Sequence, residues 1–158
     1  MATTITLEKS GALVRFEAAL RVYEFPDRSL YMAPIFRDWL DGPLYNAPKV
    51  RGRPLTPYEQ VDEIFTRFVA GRRLYLNSDF NKLNPRPEHV WYMKTPDVRV
   101  FGFFHRRRIF IAVCGGLKGD VKGKYKHFLR DVVGFRTALP LNAPKADPTP
   151  TEKFHDLL

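Results

Sequence analysis

Between Arg86 and Arg136 the chain gathers side chains that can hold a phosphate or carry a proton and supplies few that could neutralise them: 12 Lys and Arg stand against 4 Asp and Glu. Arg99 is the foremost of these, because its planar fork can engage two phosphate oxygens at once. It lies in Val98 to Phe104, an alternation that reads as a strand and shares one face among Arg99, Phe101, Phe103 and His105. That face cannot be wholly core unless Arg99 is bridged to an acid such as Asp97. Arg99 is therefore either a phosphate ligand or half of an internal ion pair. Lys94 ends the preceding strand and Lys118 follows Gly115-Gly116. Each is a phosphate ligand or, with a lowered pKa, a proton carrier; otherwise it is a solvated lysine. The unperturbed pKa of a histidine, near 6.5, suits His105 to proton transfer at neutral pH, unless it is merely a solvated residue of a hairpin tip. Such a set can hold a phosphate, stabilise charge that develops on it and move protons to and from it.

Further contacts to a nucleic acid are available around this set. His105-Arg106-Arg107-Arg108 reads as a cationic hairpin tip whose like charges repel unless an anion binds. Lys122, Lys124 and Lys126 could grip a backbone. Trp91 and Tyr92 point to opposite faces of their strand, so one is core while the other, with Tyr92 the candidate, can stack on a base. Tyr125 fits a stacking role less well than the apolar stripe of its helix.

Other chemistries find little support. Cys114 has no activating histidine near it in sequence, and His89, His105, His127 and His155 show no metal-ligand spacing. Gly115 to Asp120 lacks the spacing of a nucleotide-binding loop, although backbone ahead of a helix can still bind one phosphate. No metal and no cofactor is expected.

The elements that must position these residues follow from periodicity. Thr3 to Glu8 and Val14 to Val22, joined by Lys9-Ser10-Gly11, read as a strand pair with Val14, Phe16, Ala18, Leu20 and Val22 on its buried face. Leu30 to Leu40 has near-helical spacing, with Pro34 confined to the first turn. Asp41 to Pro57, rich in Pro and Gly and carrying Lys49, Arg51 and Arg53, reads as an extended loop that could lie across a partner. Thr56 as N-cap, Pro57 at N1, Glu59 at N3 and Gly71 as C-cap bound a helix whose apolar stripe is Val61, Ile64, Phe65, Phe68 and Val69. Arg67, Arg72 and Arg73 fall outside that stripe. After the breaker Asn77 to Pro87 come strands at His89 to Lys94, Val98 to Phe104 and Ile109 to Cys114, an antiparallel meander. A final helix follows, with Asp120 as a candidate cap and a stripe of Tyr125, Phe128, Leu129, Val132 and Val133. The expected fold is α+β: a small antiparallel sheet, N-terminal hairpin plus meander, with helices on one face. Residues 1–139 form its single domain, and 140–158 are a Pro-rich mobile tail with Phe154 to Leu158 as a short docking segment.

Composition sets the class of partner. With 158 residues, 44% apolar and 14% aromatic, the chain is a folded single domain and not a disordered one. A net charge of +9 favours polyanions, and nearly all of it lies in the meander third. One cysteine, no secretion-type N-terminus and no apolar run of spanning length lead to the expectation of a cytoplasmic protein without a membrane partner.

At HVWYMKTPDVRVFGFFHRRRIFIAVCGGLKGD the chain resembles the RelE/HigB-like toxins of type II toxin-antitoxin systems, including phage-derived relatives. Trp91 to Lys94, Arg99-Val100-Phe101 and Gly116-Leu117-Lys118 stand where those proteins have a strand ending in a basic residue, an Arg-Val-aromatic strand and Gly-aromatic-x-Lys. The resemblance spans about residues 57 to 135. It implies a RelE/ParE-like fold and a metal-independent endoribonuclease that cuts mRNA, often ribosome-bound, inhibits translation and is silenced by a cognate antitoxin protein. Arg99, Lys94 and Lys118 take the family's basic positions. The chain departs from HigB-like members at Tyr92-Met93, where an acid is frequent, and at Gly119, where a second Lys is frequent. The alternatives are a noncatalytic nucleic-acid-binding or regulatory protein on the same fold, and a ParE-like gyrase inhibitor.

Overall fold

A strand with no solvent-facing side must be covered from both sides, and Val98 to His105 is such a strand: every residue in it, Arg99 and His105 included, is buried. The computed structural model describes residues 1–158. In it a six-stranded mixed sheet has the order β1-β2-β6-β5-β4-β3, formed by Val14–Arg15, Ser29–Met32, Phe80–Lys82, Trp91–Lys94, Val98–Arg106 and Ile109–Leu117 as β1 to β6. The meander β4-β5-β6 is antiparallel as expected, and β2 lies parallel to β6. The class is α+β, but the sheet is larger than the sequence suggests.

Helices cover both faces, which corrects the expected one-faced arrangement. α2 (Pro34–Trp39) and α3 (Pro57–Val69) lie over the face carrying Val98, Val100, Phe104 and Phe110, while α1 (Thr4–Ser10), the single turn α4 (Lys118–Val121) and α5 (Tyr125–Ala138) lie over the face carrying Phe101, Phe103, Ile111 and Val113. The reason is the period-two distribution of large apolar side chains to both sides of β5 and β6. No helix is long and apolar enough to cross a membrane.

The local expectations divide by how much they rest on short-range bonds. Thr56 accepts from the Glu59 amide at 3.2 Å, Glu59 accepts from the Thr56 amide at 3.0 Å, and Gly71 takes a left-handed φ of +73° just past the helix. Pro34 sits at the first position of α2, whose chain then widens into one π-helical turn, Leu40–Leu44, in which Tyr45 donates to the Leu40 carbonyl five residues back. Pro43 has no N–H to give, which accounts for the wider turn. The loop expected from Asp41 therefore begins later, after Leu44. Leu30 to Met32, read as the start of a helix, belong instead to the strand Ser29–Met32, because Leu30, Tyr31 and Met32 are buried between β1 and β6.

The N-terminal strand pair is corrected. Thr4–Ser10 is a helix, capped by Thr3 Oγ1 and closed by Gly11 at φ +82°. Of the second strand only Val14–Arg15 is in the ladder, extended by the Phe16 amide bond to Leu30. Val14, Phe16, Ala18 and Leu20 do rest on the core, so the alternation marks a buried side without a neighbouring strand. Phe80–Lys82, inside the expected breaker, supply β3, and Asp120 lies within α4 and caps nothing, since α5 begins at Tyr125 without a side-chain cap.

The Pro-rich last segment is not loose. Leu141 pairs with Ala2, Phe154 and Leu157 are fully buried, and the Phe154 ring lies 5.4 Å from Phe80 and 5.6 Å from Trp91. Prolines lower the chain entropy that must be lost on docking, and two large apolar side chains supply the drive.

Candidate nucleic-acid interface

β4 ends, β5 begins and β6 ends at one margin of the sheet, so the register of the meander decides which side chains meet there. Lys94 is the Cα partner of Arg99, and Arg99 of Gly116, which sets Lys118 two residues further on at the same margin. Lys94, Arg99 and Lys118 line one cleft of about 510 Å³ together with Arg53, Gln60 and Arg67. The three residues that the sequence places foremost are thus brought together.

The charges of this cleft are unevenly matched. Its two lining carboxylates, Glu63 and Asp79, are both taken by Arg67, at 2.8 and 3.0 Å. Asp97, the acid that could have bridged Arg99, is instead held by Arg53 at 3.2 Å and by the Gln60 amide at 2.6 Å. Arg99 has only 7% of its surface exposed and no acidic partner. Its Nη1 donates to the carbonyls of Thr95 and Val98 at 2.6 and 3.0 Å, which fixes the guanidinium at the cleft wall. Lys94 and Lys118 are exposed and equally without carboxylate partners. Like charges directly across a strand pair, such as Lys94 and Arg99, repel. An anion between them removes that cost.

Gln60 holds the cleft's floor. Its Oε1 accepts from Thr95 Oγ1 and from the Asp97 amide, both at 2.9 Å, and its Nε2 donates to Asp97. The turn whose carbonyls orient Arg99 is thereby tied to α3. Gln60 lies four residues before Ile64, a polar residue on an otherwise apolar stripe, and that was the available sequence signal for it. Arg53 and Arg67 joined the cleft without any local signal beyond their charge. Gln60→Ala leaves the Asp97 amide buried without a partner, takes one donor from the Asp97 carboxylate and leaves the Thr95 hydroxyl with Val98 alone, so it is expected to lower unfolding stability by about 2–3 kcal/mol in urea titration. A loss below about 0.5 kcal/mol would mean that the turn stands without it.

The other predicted residues lie elsewhere. His105 is not at a hairpin tip: β5 continues to Arg106, the turn is Arg107-Arg108, and His105 is buried within the strand at the end remote from the cleft. Its Nδ1 donates to the Lys145 carbonyl at 2.7 Å, and burial, aided by Arg106, pushes its pKa below the ordinary 6.5. Arg106 donates to the carbonyls of His105, Ala143 and Pro144, and Arg108 to Leu158 while pairing with Asp27 at 3.6 Å. Carbonyls of the last segment thus meet part of the charge expected to need an external anion. Arg107 is exposed. Tyr92 is half-buried against Phe101 and Tyr125, both rings 5.5 Å away, and burial raises its pKa. Lys122, Lys124 and Lys126 are exposed on the α4–α5 junction that Lys118 begins. Cys114 is pushed up to about 12 by burial and stays a thiol at neutral pH.

A histidine whose folded pKa is depressed contributes stability that is full above its unfolded value and is lost as pH falls through the folded one. His105 therefore makes the fold acid-sensitive below about pH 6.5, and His89, lowered by burial and by Lys82 at 3.1 Å, acts in the same direction. The thermal midpoint of the wild type should drop between pH 7 and pH 5 more steeply than that of His105→Gln. Identical slopes would remove His105 from this account. No protein-family profile, no curated protein and no solved structure matches the chain.

Proposed function

We propose that this protein is a RelE/HigB-like endoribonuclease that binds single-stranded RNA in the Arg99 cleft and cleaves it without a metal. The observation that carries this is the convergence of three cations without acidic partners, one of them buried and oriented by backbone carbonyls, at a single margin of the sheet. An Arg held in this way is preorganised for a phosphate whose charge grows in the transition state. Lys94 and Lys118 flank it from neighbouring strand ends, where one can take the 2′-hydroxyl proton and the other can protonate the 5′-oxygen. The α2–α3 helical pair ahead of a three-strand meander agrees with the arrangement that the resemblance implies.

The test is incubation of the purified chain with single-stranded RNA in excess EDTA. Products ending in 2′,3′-cyclic phosphate are expected, and RNA with 2′-deoxyribose at the cut sites should resist. A second reading, RNA binding without cleavage, is favoured by one specific observation: His105, the candidate titrating nearest neutrality, is shut away from the cleft. Retention of RNA with intact transcripts would select that reading, and failure to bind RNA would end both.

A further inference from the structure

Beyond Ala112 the outer edge of β6 has no strand beside it. β2 pairs with β6 only from Ser29 opposite Ile109 to Met32 opposite Ala112; Ala33 then donates to the Ala112 carbonyl and the chain turns into α2. Val113 to Leu117 are bonded to β5 on one side alone. This open edge is nevertheless recessed, with α2 and its π-helical turn along one flank and α5 along the other. The gap forms two contiguous lobes of about 430 and 370 Å³, which share Trp39, Gly115 and Phe128. The walls of the first lobe are apolar except for Asp131, and its Ile35 stands 72% exposed. Glycines keep the edge bare: a Cβ on Gly115 would come within 3.0 Å of the Trp39 ring, and one on Gly116 within 2.8 Å of Val121.

We infer that this groove receives one extended polypeptide segment of a partner protein, laid along Val113 to Leu117 as an added strand, apolar at alternate positions and acidic at the end beside Lys124. Unpaired N–H and C=O groups in a row are matched in spacing only by another extended backbone, which pairs about 4.8 Å away. An apolar small molecule would fill the lobes and leave those groups unmet. A second folded copy cannot supply the strand through this same edge, because its own edge is recessed between the same helices. The charge fixes the orientation: the lobe at Leu117 is lined by Lys124 and His127 against Asp120, with Lys122 and Lys126 exposed on the same α4–α5 junction, whereas the other lobe carries Asp131, on a chain of net charge +9. This inference goes beyond the proposed function and does not depend on it.

The experiment is titration of the ¹⁵N-labelled full chain with a pool of acetylated octapeptides carrying Val or Ile at alternate positions, Thr between them and two Glu at one end. Amide shifts and slowed hydrogen exchange should concentrate at Val113 to Leu117. Methylating alternate peptide nitrogens should weaken binding more than about tenfold, as should Ile35→Asp, whose exposed position spares the fold. The inference is overturned if no peptide of the pool binds at millimolar concentration, if methylated peptides bind equally well, or if the shifts fall on the Arg99 cleft. It is also overturned if the same amides shift with protein concentration alone, which would assign the edge to self-association.

Discussion

Arg99→Ala is expected to lower RNA cleavage by about 10²- to 10³-fold, the usual cost of removing one preorganised donor from a developing oxyanion. The fold should survive, because the side chain bonds only to Thr95 and Val98 carbonyls of its own turn and holds no carboxylate whose charge would be stranded. Arg99→Lys should recover little of the rate: an ammonium keeps the charge but cannot engage two phosphate oxygens in one plane while also holding the turn. Binding gives a second readout. Three phosphate contacts by Lys94, Arg99 and Lys118 correspond to a slope of about −2 in log affinity against log salt for a single strand, and the alanine variant should flatten it by about 0.7. A variant with unchanged rate and unchanged slope would show that the cleft is not where RNA binds.

The second large effect concerns the last residues. Phe154→Ala should cost about 3–5 kcal/mol of unfolding free energy, since its ring is fully buried against Phe80 and Trp91. Removing residues 151–158 takes Leu157 away as well, together with the carbonyl that accepts from the Arg108 amide at 2.8 Å. The combined loss approaches the roughly 5–15 kcal/mol that holds an ordinary domain together. The shortened chain should therefore expose apolar surface and lose its cooperative urea transition, whereas Glu152→Ala and Lys153→Ala, both at exposed positions, should shift it by less than about 0.5 kcal/mol. A cooperative, near-wild-type transition in the shortened chain would mean that this segment adds little to the core.

Both effects depend on contacts of different range, and so did their visibility in the sequence. The capping box of α3, the placement of Pro34 and the three strands of the meander were legible because each is specified within a few residues. Arg99 was legible as a candidate from its strand position and its planar fork, and Lys94 and Lys118 from their resemblance to the basic positions of RelE/HigB-like toxins; that Lys94 stands opposite Arg99 is a matter of register. The N-terminal misreading shows the limit. Ile5 and Leu7 alternate with polar residues as a strand would, yet Thr3 and Gly11 cap a helix there, and seven residues are too few for periodicity to decide between the two.

Residue types and local spacing thus determined the basic meander, its best-capped helix and the identity of three cations worth testing, because these rest on bonds between near neighbours in the chain. Only the tertiary structure decided that Asp97 would be claimed by Arg53 and Gln60, 44 and 37 residues away, leaving Arg99 without an acid. It also decided that His105 would be enclosed, that the Pro-rich segment would complete the core and that β2 would stop at Met32, leaving an edge of β6 bare. Each of these depends on which distant group arrives first at a shared partner or surface, and no local pattern encodes that competition.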